Sequence, residues 1–386
     1  MTNKWPMKRI DEISSFSMGF TPDTKNDSFW VGGNNWLSIA GMDRKYIISG
    51  NKSISDQAVE KKRAFPIDTL LMSFKLSIGK LAILRKEMYT NEAICGFVFP
   101  QEVMTEFMYY ALSHIDVASF GSRAVKGITL NSENIGSIVV PVPPLPEQEK
   151  IAEFLSALDD HIDLHSKKID LLIEQKKGYS QKIFSRELVF KDDNGNSYGE
   201  WEKTTLDKVV KIIGGGTPST SNQAFWTNEI SWFTPTEIGK TKYVSFSSRK
   251  ISSLGLVKSS AKLIPRNSIL LTTRAKLGEM AITLEETTTN QGFQNLVPNQ
   301  DKISTEFLFC LQPMVKTYCE TNASGSTFRE ISKTVLGKMK LSLPSLPEQD
   351  KIAKLISALD SQIAAEKEKL ELLRQQKQGY MQRIFE

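Results

Sequence analysis

Residues Leu145–Phe184 read LPEQEKIAEFLSALDDHIDLHSKKIDLLIEQKKGYSQKIF, and residues Leu346–Phe385 read LPEQDKIAKLISALDSQIAAEKEKLELLRQQKQGYMQRIF. The two stretches align without a gap at an offset of 201 residues and agree at 22 of 40 positions. A repeat of this length decides the architecture before any single residue does. Apolar residues recur at alternating steps of four and three. The first copy has Ile151, Leu155, Leu158, Ile162, Ile169, Leu172, Tyr179 and Ile183. The second has Ile352, Ile356, Leu359, Ile363, Leu370, Leu373, Tyr380 and Ile384. A 3.5-residue period predicts a coiled-coil seam rather than the wider face of a globular helix. Polar residues break both seams at matching places, His165 and Lys176 in one, Glu366 and Lys377 in the other. Such positions cost stability but fix register and partner. Each helix opens after a proline, with Glu147 and Gln148, or Glu348 and Gln349, in a first turn whose dipole favours an acid. About 37 residues at ~1.5 Å each give rods of roughly 55 Å, which are predicted to pair with each other.

The repeat extends outward from the rods. Trp5 opens one half and Trp201 the other, and Gly19-Phe-Thr-Pro22 matches Gly215-Gly-Thr-Pro218. Phe29-Trp30 and Trp36 match Phe225-Trp226 and Trp232. Ser77–Ile83 then aligns with Lys276–Ile282, and Thr90-Asn91 with Thr289-Asn290. Between these anchors the halves share little, so the chain is one scaffold used twice with different surfaces. Short apolar or alternating runs at Trp36–Ala40, Thr69–Phe74, Lys80–Leu84, Ile94–Phe99 and Ser268–Thr272 predict strands. Thr105–Ile115 and Thr305–Lys316 predict helices, each followed by a Gly/Ser-rich loop. The expected fold class is α+β, with two homologous, mostly-β heads and two long helices. The predicted boundaries are 1–143 for the first head, 144–186 for its helix, 187–199 for a turn-rich linker, 200–343 for the second head and 344–386 for the last helix. Lys191-Asp-Asn-rich sequence marks the linker, where Asn-Gly and Asp favour tight turns.

With 386 residues the chain has room for two or three domains with sizeable cores. Its three cysteines, Cys95, Cys310 and Cys319, have neither disulfide-framework nor zinc-ligand spacing, which predicts a reducing, cytoplasmic setting. No apolar run reaches membrane-spanning length, and the first residues, MTNKWPMKRIDEI, carry no signal-peptide core, so no membrane partner is expected. Residues 1–143 hold 16 Lys+Arg against 14 Asp+Glu, residues 200–343 hold 18 against 12, and the remainder 15 against 18. Positive heads on slightly negative rods suit a nucleic-acid partner for the heads.

Catalytic signatures are missing. Gly214-Gly-Gly-Thr-Pro-Ser219 lacks the lysine and spacing of a phosphate loop and reads as a turn. His161 and His165 have the i, i+4 spacing of metal ligands, but the second copy has Gln362 and Glu366 there, which favours a solvated helix face and no metal. No nucleophile–base set, catalytic carboxylate pair or dinucleotide fingerprint is found, so the chain is expected not to be an enzyme. Recognition chemistry remains. The first head gathers Lys75, Lys80, Arg85 and Lys86 near the repeated glycine anchor, with Arg123 and Lys126 in the following loop. The second offers Arg274, Lys276 and Arg329, and Lys75 aligns with Arg274. Arg and Lys at such places contact phosphates or guanine edges, and Ser73, Thr272 and Thr273 add hydroxyls. The matched tryptophans read as core rather than as base-stacking platforms.

These features together resemble the specificity subunit of type I restriction–modification systems. The resemblance rests on two tandem heads, each ending in Leu-Pro-Glu-Gln (145–148 and 346–349) and a long helix closing in QKKGYSQKIF or QKQGYMQRIF. The Gly-x-Thr-Pro segments and the Lys191–Trp201 linker add to it, and it covers the whole chain. The resemblance implies that the heads are target-recognition domains, each reading half of a split site in double-stranded DNA. It implies that the rods form an antiparallel coiled coil, both a spacer and a platform for two methyltransferase subunits. No cofactor is expected on this chain. S-adenosylmethionine is expected on those partners, which modify adenine at N6, and two restriction/translocase subunits complete the complex. Heads related by a pseudo-twofold axis would read half-sites on opposite strands, and a ~55 Å rod at ~3.4 Å per base pair spans about a turn and a half of duplex. The competing reading is a non-catalytic coiled-coil scaffold whose heads bind proteins, which a DNA shift assay across a salt series would separate.

Overall fold

Near-continuous apolar runs, such as Leu70–Met72 of the strand Leu70–Ser73 and all of Leu81–Leu84, become strands buried on both faces. The computed structural model describes residues 5–75, 77–124, 127–274, 276–325 and 329–386, with backbone alone for 122–124 and 127–129. The chain divides into two compact units: Met1–Lys168 together with Glu366–Glu386, and the contiguous stretch Ile169–Ala365.

In the first unit a five-stranded sheet runs in the order Ser15–Met18, Ile94–Val98, Leu70–Ser73, Leu81–Leu84, Tyr46–Ile47. All its pairings are antiparallel except the last. Leu70, Met72 and Phe97 face one core, closed by Phe107, Met108 and Leu112 of the helix Thr105–His114. Leu71, Ala82 and Ile94 face another, shared with Leu37. A three-stranded sheet orders Lys52–Ile54, Asn34–Leu37 and Tyr89–Thr90. The second unit repeats this with Val210–Gly214, Gln294–Pro298, Ile269–Leu271, Met280–Thr283 and Tyr243–Val244, beside Lys250–Ile251, Ile230–Phe233 and Thr288–Thr289. One expected helix differs. Thr305–Lys316 is two helices, Thr305–Cys310 and Gln312–Asn322. Pro313, which has no N–H to donate, sits in the first turn of the second, where it is tolerated but ends the preceding helix.

The anchors that repeat in sequence meet in space. Phe20 N–H donates to Thr90 O (2.7 Å), and Gly216 N–H to Thr289 O (2.8 Å). Thr21 Oγ1 donates to Glu92, and Thr217 Oγ1 to Gln291. A Cβ on Gly19 would stand 2.2 Å from Thr90 Oγ1, and one on Gly215 only 1.9 Å from Asn290 O, which is why glycine occupies both places. The Phe20/Gly216 difference leaves this contact unchanged. The tryptophans lock the same segment. Trp36 Nε1 donates to Phe20 O (2.9 Å) and Trp232 Nε1 to Gly216 O (2.8 Å), with both rings buried.

The helices Leu145–Phe184 and Leu346–Phe385 are each continuous over 40 residues, and they run antiparallel within both units. In the first unit Asp159 pairs with Lys377 and His165 Nδ1 lies 2.6 Å from Glu366 Oε2. In the second Lys176 pairs with Asp360 and Arg186 Nη1 lies 3.0 Å from Glu348 Oε1. Rising numbers on one helix meet falling numbers on the other. All four polar seam residues therefore pair across the helices: His165 with Glu366, Lys176 with Asp360 and Lys377 with Asp159. Glu366 and His165 occupy equivalent places in the two copies and bond each other. The seam itself is buried or half-buried, with Leu155, Ile183 and Ile352 fully so. Tyr380 departs from the expectation. It is 41% exposed, edge-on to Phe154, and the neighbouring Met381 is buried with Leu155 and Tyr110 instead. Met381, where the other copy has Ser180, supplies an apolar side chain to bury, so the seam turns by one residue at its end.

Candidate nucleic-acid interface

Each head presents one tight turn between its two central strands. Hydroxyl chemistry closes it. Ser73 Oγ donates to Ser77 O and accepts from Lys80 N–H (3.1 Å). Thr272 Oγ1 donates to Lys276 O and accepts from Glu279 N–H (3.0 Å). Gly79 (φ 81°) and Gly278 (φ 78°) supply the left-handed residue each turn needs. Ser73 and Thr272 are fully buried. This corrects their expected role as DNA contacts, because their hydroxyls are used up in holding the turn. Thr273 is likewise buried.

The turns place Lys75 and, in the second head, Arg274 and Lys276 on the exposed surface. Lys75 Nζ sits 5.4 Å from the Phe74 ring. Arg274 Nη2 pairs with Glu330 Oε2 at 2.8 Å. Lys80 turns inward and donates to Ile39 O (3.1 Å), leaving it half-buried. Arg85 is also corrected. Its guanidinium pairs with Asp68 and Glu106 and lies 4.4 Å from the Tyr46 ring centroid. Burial opposes its charge, but these carboxylates raise its pKa further, so it neutralises acids of its own head. Arg329 is exposed and donates to Glu320 O. Arg123 lies in the strand Ser122–Ala124, paired with Gly127–Thr129, where only the backbone is described. Lys126 lies outside the described residues.

Three features escaped sequence reasoning. Glu330 is one; only its chance of meeting Arg274 across 56 residues makes it notable, and no spacing rule signals that. The second is Gln148 and Gln349. Gln148 accepts from Met104 N–H (2.8 Å) and donates to Glu102 O (3.0 Å) and Pro143 O (2.8 Å). Gln349 makes the same three bonds, to Ser304 N, Lys302 O and Pro344 O. The repeated Leu-Pro-Glu-Gln was the signal, since it clamps head to helix. The third is a lysine bridge from head to helix. Lys45 Nζ donates to Tyr110 Oη and Ser156 Oγ (both 2.9 Å), and Lys242 Nζ to Ser357 Oγ (2.7 Å). Lys242 also pairs with Glu306, which raises its pKa although burial works against the charge.

The thiols are free and buried. Burial pushes Cys310 and Cys319 each up to about 12, so neither offers a thiolate nucleophile at neutral pH. No helix among the described residues is long and apolar enough to cross a membrane.

Both heads hold exposed cations on a turn of the same construction within a duplicated scaffold. The family model for the type I restriction modification DNA specificity domain matches residues 2–175 and again 198–375. The chain belongs to this family and carries its DNA specificity domain twice. Among named relatives from Methanocaldococcus jannaschii, the type I restriction enzyme MjaIX specificity subunit is 33% identical over 49% of this chain and 45% of that protein. The putative MjaX specificity subunit is 27% identical over 71% and 66%, and the MjaVIII specificity subunit 25% identical over 98% and 91%. The chain thus spans less than two thirds of the first two. The crystal structure of the S subunit from M. genitalium shares the fold, with TM-score 0.62 and 16% identity over all of this chain and 97% of that one. A second solved chain, from work on type I system assembly and conformational transition, has TM-score 0.59 and 18% identity over all of this chain and 98% of that one.

Proposed function

We propose that each head reads one half of a bipartite, asymmetric DNA site, while the two helices set the spacer between the halves. The observation that carries this reading is the duplicated turn. Both heads build it with the same hydroxyl and glycine geometry, yet it presents Lys75 in one and Arg274 with Lys276 in the other. A constant frame with different exposed groups is what two half-sites of different sequence require. In this reading Lys75, Arg274, Lys276 and Arg329 contact DNA, and Arg123 and Lys126 are further candidate contacts. The helices dock two adenine-N6 methyltransferase subunits, which bind S-adenosylmethionine, and two restriction/translocase subunits join the full complex. The chain supplies sequence choice and its partners supply chemistry.

The test replaces residues 1–143 with the first head of another specificity subunit and maps methylated sites by sequencing. The half-site read by the first head changes and the other stays. A change in both halves would refute modular reading.

A further inference from the structure

The second head carries an arrangement that the first lacks. Arg274 projects from a turn closed at both ends: Thr273 N–H donates to Gly292 O (2.8 Å) and Gly278 N–H to Thr272 O (2.9 Å). Its partner Glu330 is as firmly placed. Glu330 exchanges two backbone bonds with Ser324, at 2.9 and 3.0 Å, and is followed by the fully buried Ile331. Ser332 then caps the helix Lys333–Gly337. The carboxylate takes one guanidinium nitrogen, at 2.8 Å, and the arginine side chain remains 44% exposed. A planar fork of five N–H donors held at one corner has lost much of its rotamer freedom, while its other donors meet no partner among the described residues. An aimed fork suits bidentate contact with guanine O6 and N7 in the major groove, where its plane must lie along the base edge; base preference, read below, separates this from a bidentate phosphate contact.

The first head differs at both members. Lys75 stands at the position of Arg274. The 201-residue offset that matches Ser332 to Asn131, the cap of Ser132–Gly136, puts Thr129 at the place of Glu330. A lysine is a point charge with no planar fork to orient, so an acid there would neutralise it without aiming it.

We infer that Arg274 reads a guanine in the half-site of the second head, and that Glu330 is a positioning residue which aims the fork. The inference rests on the proposed reading of split DNA sites and assigns one base contact within it. A charge pair that merely ties the turn to the neighbouring loop would affect folding and leave base preference alone.

The experiment uses the full chain co-expressed with its methyltransferase subunit. A DNA library fixes one half-site and varies the other a single base pair at a time, and methylation is read by sequencing. Arg274→Ala and Arg274→Lys each relax the preference for guanine at one position of the second half-site by roughly ten- to hundredfold, leaving the first half-site intact. Glu330→Gln relaxes the same position without weakening binding to random-sequence duplex, since it removes a negative charge. Thermal melts of the three variants stay near the wild type because both side chains are partly exposed. Uniform weakening on every sequence, with a salt slope reduced by about one, would reassign Arg274 to a phosphate and overturn the inference. Relaxation by Arg274→Ala alone, with Glu330→Gln unchanged in base preference, would overturn the role of Glu330. If the wild-type complex methylates without regard to either half-site, the reading of split sites itself fails and takes this assignment with it.

Discussion

Replacing Gln349 with leucine tests how the head is fixed to its helix. The side chain is fully buried, and its amide makes three bonds: it accepts from Ser304 N–H (2.9 Å) and donates to Lys302 O (2.8 Å) and Pro344 O (3.0 Å). Leucine has similar volume and makes none of them. One buried N–H and two carbonyls then lose a partner. An orphaned buried group costs ~1–3 kcal/mol, and carbonyls with a second lone pair lie at the low end, so the sum is about 3 kcal/mol. For a unit the size of Ile169–Ala365, ~2–4 °C is lost per kcal/mol, which places the shift of its melting transition near 6–12 °C. Scanning calorimetry of the full chain reads this directly. Gln148→Leu removes the same three kinds of bond in the other unit and lowers that transition by a comparable amount. A shift below about 2 °C in both variants, with unchanged far-UV circular dichroism, would show that the amide clamp contributes nothing beyond volume.

Glu366 is held below the usual carboxylate range by Lys168 first and His165 second. A lowered folded pKa means that its contribution is complete above the unfolded value, 4.5, and disappears as pH falls through the lower folded one; Glu366→Gln therefore flattens the acid limb of stability, and superimposable acid titrations would contradict the pairing. Gly215→Ala forces its Cβ against Asn290 O at 1.9 Å and destabilises by about 3 kcal/mol, whereas Gly379→Ala, mid-helix with open space around it, stabilises by up to about 1 kcal/mol. Urea midpoints of the two variants moving in the same direction would count against the anchor contact. Deleting one heptad from each rod, Ile162–Lys168 and Ile363–Lys369, shortens each by roughly 10 Å at ~1.5 Å per residue. The preferred spacer then contracts by about three base pairs at ~3.4 Å each, as read by methylation of a spacer library, and an unchanged spacer would rule out the rods as the ruler.

The 201-residue repeat made the architecture readable because a coiled-coil seam writes its period directly into the sequence. Leu155, Ile183 and Ile352 fall where the 3.5-residue period puts them. The repeated Gly-x-Thr-Pro and Thr-Asn segments were legible as anchors for a similar reason, since backbone contact this close admits only glycine on one side. The partners of individual charges were not legible. Lys75, Arg85 and Arg274 looked alike in sequence, yet Arg85 is consumed by Asp68 and Glu106, Arg274 is held by Glu330, and Lys75 is held by no acid among the described residues. Ser73 and Thr272 looked like surface hydroxyls and are turn closures. Periodicity and backbone constraints are local and survive in a linear string. Which carboxylate meets which cation depends on strands and loops brought together across tens of residues, and that is set only when the sheets, the turns and the helix ends pack.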